Sequence, residues 1–164
     1  MTTVDVTTDA AACRGADPAL FFPTSARPHE KRQVQAAKSM CNGCPMRKPC
    51  LTRAVQLDEW EGIWGGFTGA ERRRMRLHAV RLRSLDRRVI DDLIADRPVI
   101  VRGKDRPAVV HALTRLGWSQ PRIAHALRLD PFSVQLAQAT AEEAAMYAAA
   151  ERRAAQGAHS VTAY

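Results

Sequence analysis

Cys13, Cys41, Cys44 and Cys50 are the residues of this chain whose type and spacing most clearly carry chemistry. Cys41 and Cys44 form a C-x-x-C pair, Cys50 follows after five residues, and Cys13 precedes them by 27 residues. All four fall in the first third of a 164-residue sequence whose remainder has none. Clustered thiols either bind metal or exchange disulfides. The chain opens without a cationic, apolar leader and never runs through about 20 apolar residues, which predicts a cytoplasmic protein with no membrane partner. Structural disulfides do not persist in that compartment, so metal or redox chemistry is expected. Four soft thiolates suit an iron–sulfur cluster or zinc. The redox alternative, a thioredoxin-like C-x-x-C, needs a βαβ frame, and no such pattern surrounds Cys41 and Cys44.

The elements that must position these thiols read as helical. Hydrophobic residues make up 46% and aromatics only 5%, enough for a modest core of Ala, Leu and Val, so the expected fold class is all-α. Asp17 to Pro23 reads as a single turn whose Phe21 and Phe22 need a core to enter. A helix is expected from about Pro28 to Met40, with Val34, Ala37 and Met40 on one face and Cys41 at its end. Leu51, Ala54, Val55 and Leu57 mark a second helix. It stops before Glu61-Gly62-Ile63-Trp64-Gly65-Gly66, where the glycines demand a turn. Thr68 and Glu71 fit a capping box that starts a third helix.

That third helix is intensely basic. The chain carries 25 Lys and Arg against 17 Asp and Glu, a net charge of +8, and 21 of the cations are arginine. Eight of them (72, 73, 74, 76, 81, 83, 87 and 88) lie between Glu71 and Arg88, where only Glu71 and Asp86 oppose them. Such a stretch is either a solvated face or a phosphate-contacting arm, and a pI near 10 favours a polyanionic partner such as DNA. Beyond it, Leu85, Val89, Ile90, Leu93 and Ile94 form an amphipathic stripe, and Val99 to Val101 reads as a short β-prone connector. Val109, Val110, Leu113 and Leu116 mark a further helix. Ser119 is expected to cap the next, up to Arg128, and Asp130-Pro131 to open the last. An Ala-rich stretch from Ala139 to Ala155 favours helix with little to pack, and Gly157 to Tyr164 reads as loose.

Taken in order, several motifs resemble those of one family, the WhiB-like iron–sulfur transcription regulators of actinobacteria and their phages. Ala12-Cys13-Arg14-Gly15, Asp17-Pro18 and Leu20-Phe21-Phe22-Pro23 are similar to the family's opening. Cys41-x-x-Cys44-Pro45 and Cys50-Leu51 resemble its central cysteine cluster. Gly62-Ile63-Trp64-Gly65-Gly66, with Thr68 and Glu71-Arg72-Arg73 after it, resembles its glycine-tryptophan turn and basic segment. The resemblance covers about Ala11 to Arg83. It implies that Cys13, Cys41, Cys44 and Cys50 hold a [4Fe–4S] cluster sensitive to oxygen or nitric oxide, with zinc the alternative metal. It also implies docking on the C-terminal domain of the primary sigma factor through Trp60, Gly62, Ile63, Trp64, Gly65 and Gly66. Four thiolates on an oxidised cubane leave a net charge of −2, which Arg14, Arg47 and Lys48 would partly offset.

Ala108 to Ala137 resembles, more loosely, a bacterial helix-turn-helix: Leu113, Leu116-Gly117, Ile123-Ala124, Leu127, Leu129 and Val134 fall at matching positions. Arg128 stands where glycine is usual, and the recognition-helix segment from Pro131 to Ala139 has no cation. Base reading would rest on Ser133, Gln135 and Gln138, and phosphate contact on Arg115, Arg122 and Arg128 together with Arg72, Arg73, Arg74, Arg76, Arg81 and Arg83. A packing module that forms a homodimer is the other reading of this domain. The expected organisation is a disordered terminus over 1–10, a cluster-binding domain over 11–83, a helix-turn-helix-like domain over 84–140 and a helical tail over 141–164. The expected function is a non-enzymatic, redox- or nitric-oxide-responsive transcription regulator that binds the primary sigma factor and DNA. A metal-bearing protein that inhibits or redirects a sigma factor without touching DNA is the second reading, and a thiol-disulfide reductase in the metal-free form is the third.

Overall fold

A computed structural model describes residues 10–23 and 28–161, so all but the last residue of the expected disordered terminus lies outside the described residues. Seven α-helices and one two-stranded hairpin are found among them. The all-α expectation holds, apart from the hairpin. The chain forms two compact units: one runs up to Arg73 and takes in residues from Ala149 onward, and the other is Arg74–Ala148. The divisions fall inside two helices.

In the first unit a 3-10 turn, Pro18–Phe21, begins at Asp17, whose side chain accepts from the Ala19 N–H at 2.9 Å. Helix α1 spans Pro28–Asn42 and α2 spans Arg47–Gln56. Gln33 of α1 reaches back to the turn and donates to the carbonyls of Ala19 and Leu20, which places Leu20 and Phe21 against the α1 stripe of Val34, Ala37 and Cys41. Strands β1, Ile63–Trp64, and β2, Phe67–Thr68, pair antiparallel with Ile63 opposite Thr68 and Trp64 opposite Phe67. Ile63 joins the same small core. Helix α3, Gly69–Arg83, starts on the expected capping box: Thr68 N–H donates to Glu71 Oε2 at 2.9 Å, and Glu71 N–H donates to Thr68 Oγ1 at 3.3 Å. Burial pushes the Glu71 carboxyl up, but donors from Lys38 and Thr68 outweigh it and hold it below the usual carboxylate range.

The second unit is a bundle around one apolar core. Helix α4 is Arg87–Ile94, α5 is Arg106–Arg115, α6 is Gln120–Leu127, and α7 runs unbroken over Pro131–Val161. Asp86, Ser119 and Asp130 each accept a backbone N–H at a helix start, as side chains of these types do at N-caps. Leu93, Val109, Val110, Leu113, Ile123, Val134 and Ala137 interlock, with Leu85, Val89 and Ile90 partly buried beside them. Gly117 and Arg128 end α5 and α6 in left-handed conformations, at φ +80° and +52°.

Several local expectations fail. Val99 to Val101 forms no strand, and Ile100 is 97% exposed. Leu57, Ile94 and Leu116, expected on helical stripes, are exposed, and Leu57 lies just past the end of α2. The chain beyond Gly157 is not loose but helical as far as Val161, because no proline interrupts the helix-favouring sequence from Ala139 on. That helix also packs more than its composition suggests: Ala141, Ala144, Tyr147, Ala148 and Ala150 are buried. In the first unit its end meets α2, where Arg153 Nε donates to Thr52 Oγ1 at 3.0 Å.

Leu113 is fully buried at the centre of the second unit's core. Leu113→Ala should cost about 2 to 5 kcal/mol in urea unfolding of that unit. A loss under about 1 kcal/mol would show the core to be packed elsewhere.

Candidate metal centre

The four cysteines arrive from three directions at one place. Cys13 lies in a tight turn, with Arg14 N–H on Ala11 O and Ala16 N–H on Cys13 O, both at 3.0 Å. Cys41 is in the last turn of α1, and Cys44 follows in a break where its N–H bonds Cys41 O at 3.2 Å. Cys50 sits in the first turn of α2, its N–H on Met46 O at 2.8 Å. All four line a single cavity of about 310 Å³, walled also by Phe21, Phe22, Met40, Arg47, Ile63 and Trp64. Cys13 is exposed, Cys41 buried, and the other two half-buried.

Backbone donors face the sulfurs. Ala12 N–H points to Cys44 Sγ at 3.3 Å, Gly65 N–H to Cys50 Sγ at 3.2 Å, and the Gly66 N–H supports the Cys41 thiolate. Burial pushes the Cys41 and Cys50 thiols up, and neighbouring thiols add to the rise. The Gly66 and Gly65 N–H groups pull the other way without reversing it. Among the described residues no three His, Cys, Asp or Glu side chains are gathered closely enough for one ion.

The glycine-tryptophan turn covers this cavity. A Cβ at Gly65, whose φ is +58°, would lie 2.8 Å from both Arg47 O and Leu51 Cβ, so only glycine allows α2 and the turn to meet. Arg47 Nε donates to Gly65 O at 3.0 Å, and its guanidinium lies 5.4 Å from the Phe67 ring centroid. In a trans peptide the C=O and the next N–H point oppositely. Holding Gly65 O therefore turns the Gly66 N–H toward Cys41.

Arg72 corrects an expectation. Placed by the sequence among the phosphate-contacting arginines, it is 1% exposed and donates instead to carbonyls around the turn. Its Nε and Nη2 reach Glu59 O at 3.3 and 2.9 Å, Nη2 also reaches Glu61 O at 2.8 Å, and Nη1 reaches Gly62 O at 3.1 Å and Phe67 O at 2.5 Å. Helical periodicity holds the signal: Gly69, Arg72, Met75 and Ala79 are the buried positions along α3. Gly69 must be small, since a Cβ there would overlap Trp60 O at 1.6 Å.

The other expected site residues divide. Ile63, Trp64 and Gly65 line the cysteine cavity, Gly66 is buried beside it, and Trp60 and Gly62 are half-buried. Arg73, Arg74, Arg76 and Arg83 are exposed on α3, while Arg81 is half-buried and ion-paired with Asp105 at 3.4 Å. Arg122 stacks on Trp118 with its guanidinium 3.7 Å from the ring centroid, and Arg115 and Arg128 are exposed. On α7, Ser133 is engaged with Asp130 and Gln138 accepts from Gln120 at 3.0 Å, which leaves Gln135 as the exposed member of the three. Exposed Phe132 and Leu136 flank it. The cavity wall of Phe21 and Phe22 and the anchoring by Arg47 go beyond the sequence reading, although the two phenylalanines do signal a core to enter.

Fold and site thus define a helical protein whose first unit is organised around a four-cysteine pocket closed by a glycine-tryptophan turn. Residues 8–75 match the family model for the transcription factor WhiB. The chain is 38% identical over 73 residues to the transcriptional regulator WhiB1 of Bifidobacterium longum, covering 44% of this chain and 79% of that protein. It is 36% identical over 74 residues to WhiB1 of Mycobacterium tuberculosis, covering 45% of this chain and 88% of the relative, and 41% identical over 68 residues to WhiB2 of the same organism, covering 42% and 71%. The chain belongs to the WhiB family of transcriptional regulators. The matched region ends within α3, and α4 to α7 lie outside it. Among the described residues no helix is long and apolar enough to cross a membrane.

Arg72→Ala removes a buried cation from several carbonyls at once and should destabilise the first unit by at least about 3 kcal/mol, whereas Arg73→Ala, one position on and exposed, should change stability by less than about 0.5 kcal/mol. Equal effects in thermal unfolding would refute the assignment of Arg72 as the anchor of the turn.

Proposed function

We propose that Cys13, Cys41, Cys44 and Cys50 hold a [4Fe–4S] cluster and that the protein regulates transcription, without enzymatic activity, by docking on the primary sigma factor and contacting DNA. The observation that carries the reading is the convergence of all four thiols on one cavity under the Trp64 turn. A zinc ion, which bonds four sulfurs directly at about 2.3 Å, is the alternative occupant of the same thiols. When bound, such a cluster supplies iron reactive toward oxygen or nitric oxide. The protein's own part is to supply thiolates, to donate backbone N–H groups to their sulfurs, and to set Arg47 beside the negative charge. Trp64, half-buried on a rigid turn, offers a partner large apolar area at little entropic cost, which favours this face for sigma docking.

Protein purified without air should be brown, hold about four irons per chain, and co-purify with the C-terminal domain of the primary sigma factor. Each Cys→Ala change at 13, 41, 44 or 50 should lower the iron content. Colourless protein holding one zinc would sink the cluster reading.

DNA contact falls to the exposed arginines of α3, with Arg122 and Arg128 in the second unit. A second reading of that unit, as a protein-contact or dimerisation module, is favoured by the face that α7 presents, where Phe132 is 71% and Leu136 59% exposed and no cation stands among them. Changing Arg73, Arg74 and Arg76 to Ala should weaken binding to all DNA sequences alike, flattening the salt dependence by about one unit of slope per lost phosphate contact. Gln135→Ala should alter only the preference among sequences. If it leaves that preference intact while Phe132→Ala abolishes self-association, the protein-contact reading replaces base reading.

A further inference from the structure

The indole nitrogen of Trp64 is a buried donor with no acceptor in the protein. An orphan of this kind is rare, because burying an N–H without a partner forfeits its bond to water and returns nothing. Trp64 lines the same cavity as the four cysteines, on the strand β1 that brings the turn over them. The backbone donors that face the sulfurs at this wall are already committed, which leaves side-chain donors for any further acceptor. Ala12, Gly65 and Gly66 direct their backbone N–H groups at Cys44, Cys50 and Cys41, and Arg47 Nε is held by Gly65 O. The cysteine sulfurs of a cubane would thus be served by the backbone, while its inorganic sulfides, also hydrogen-bond acceptors, would need a donor of another kind. Resting on the cluster reading above, we infer that Trp64 Nε1–H is the donor to an inorganic sulfide of the bound cluster. Trp64 is then a positioning and tuning residue for that group, in addition to any contact its exposed edge makes with a partner.

The physical consequence is directional. A hydrogen bond to a cluster sulfide strengthens as negative charge accumulates, so it favours the reduced state and raises the reduction potential. Trp64→Phe keeps an aromatic ring in the wall and removes only the N–H and the second ring. Trp60→Phe and Trp118→Phe serve as controls, since neither residue lines the cavity.

The test begins with iron and sulfide analysis of the wild-type protein purified without air, which decides the cluster reading by itself. Given a cluster, anaerobic redox titration of Trp64→Phe should show iron content near wild type and a potential shifted downward, with both control variants unchanged. A Trp64→Phe potential equal to that of wild type would overturn the inference while leaving the cluster in place. Should Trp64→Phe lose the cluster, nitrogen-15 spectra of the wild-type indole groups decide. The Trp64 N–H signal should move and exchange more slowly with solvent when the cluster is present than after its removal, and an identical signal in the two forms would overturn the inference as well.

Discussion

The buried guanidinium of Arg72 is the constraint on which the cysteine site depends. A hairpin of two residue pairs is too short to hold itself. Its flanking glycines bend the chain so that the carbonyls of Glu59, Glu61 and Gly62 leave any ladder, and buried carbonyls must find donors elsewhere. Arg72 supplies them from the first turn of α3, and the capping box at Thr68 and Glu71 fixes where that turn begins. Lys38 then ties Glu71 to α1, the helix that carries Cys41. One chain of charge-assisted hydrogen bonds therefore runs from a cysteine helix through α3 to the turn that closes over the sulfurs.

Arg47 completes the arrangement from the other side. It opens α2, three residues from Cys44 and three from Cys50, and grips the same turn at Gly65 O. Because the peptide is planar, an acceptor held on one edge aims a donor from the other. The two arginines thereby convert a glycine-rich segment, which would otherwise lose much conformational entropy on ordering, into a fixed pair of N–H groups facing thiols. Those thiols are pushed toward their neutral forms by burial and by one another. With the proposed cluster bound, these sulfurs would instead be thiolates whose charge the cluster balances, so its binding and the local order of the first unit would be coupled.

Much of this is legible in the amino-acid sequence. Cysteine spacing, the glycine-tryptophan turn, the capping box and the N-caps at Ser119 and Asp130 are local signals whose physics is confined to a few residues, and each appears where expected. Arg72 escapes a reading that weighs composition over period: in a run of arginines, only its position on the stripe shared with Met75 and Ala79 marks it as internal. The apolar strength of Val99 to Val101 likewise implies a strand, but a strand needs a partner, and no pairing is available to it among the described residues. The burial of the α7 alanines is hidden for the opposite reason. Alanine carries little hydrophobic signal, yet it permits the closest approach of a helix to its surroundings.

The second unit separates geometry from chemistry. Three residues, Arg128 to Asp130, join α6 to α7, and Arg128 adopts the left-handed conformation that glycine would take more cheaply, so the chain keeps this turn despite its cost. The helix that follows, however, spends Ser133 on its own cap and Gln138 on Gln120, and presents Phe132, Gln135 and Leu136 outward. A surface with one polar group between two large apolar ones can meet a thymine methyl or another protein's apolar face, and it holds no charge to anchor a phosphate. Any attraction for DNA in this unit would have to come from outside that helix face, through cations such as Arg115, Arg128, Arg122 on Trp118 and the exposed arginines of α3 from Arg74 on. The shape of the turn alone does not assign a role, because the same geometry serves recognition and packing equally, and only the side chains it presents distinguish them.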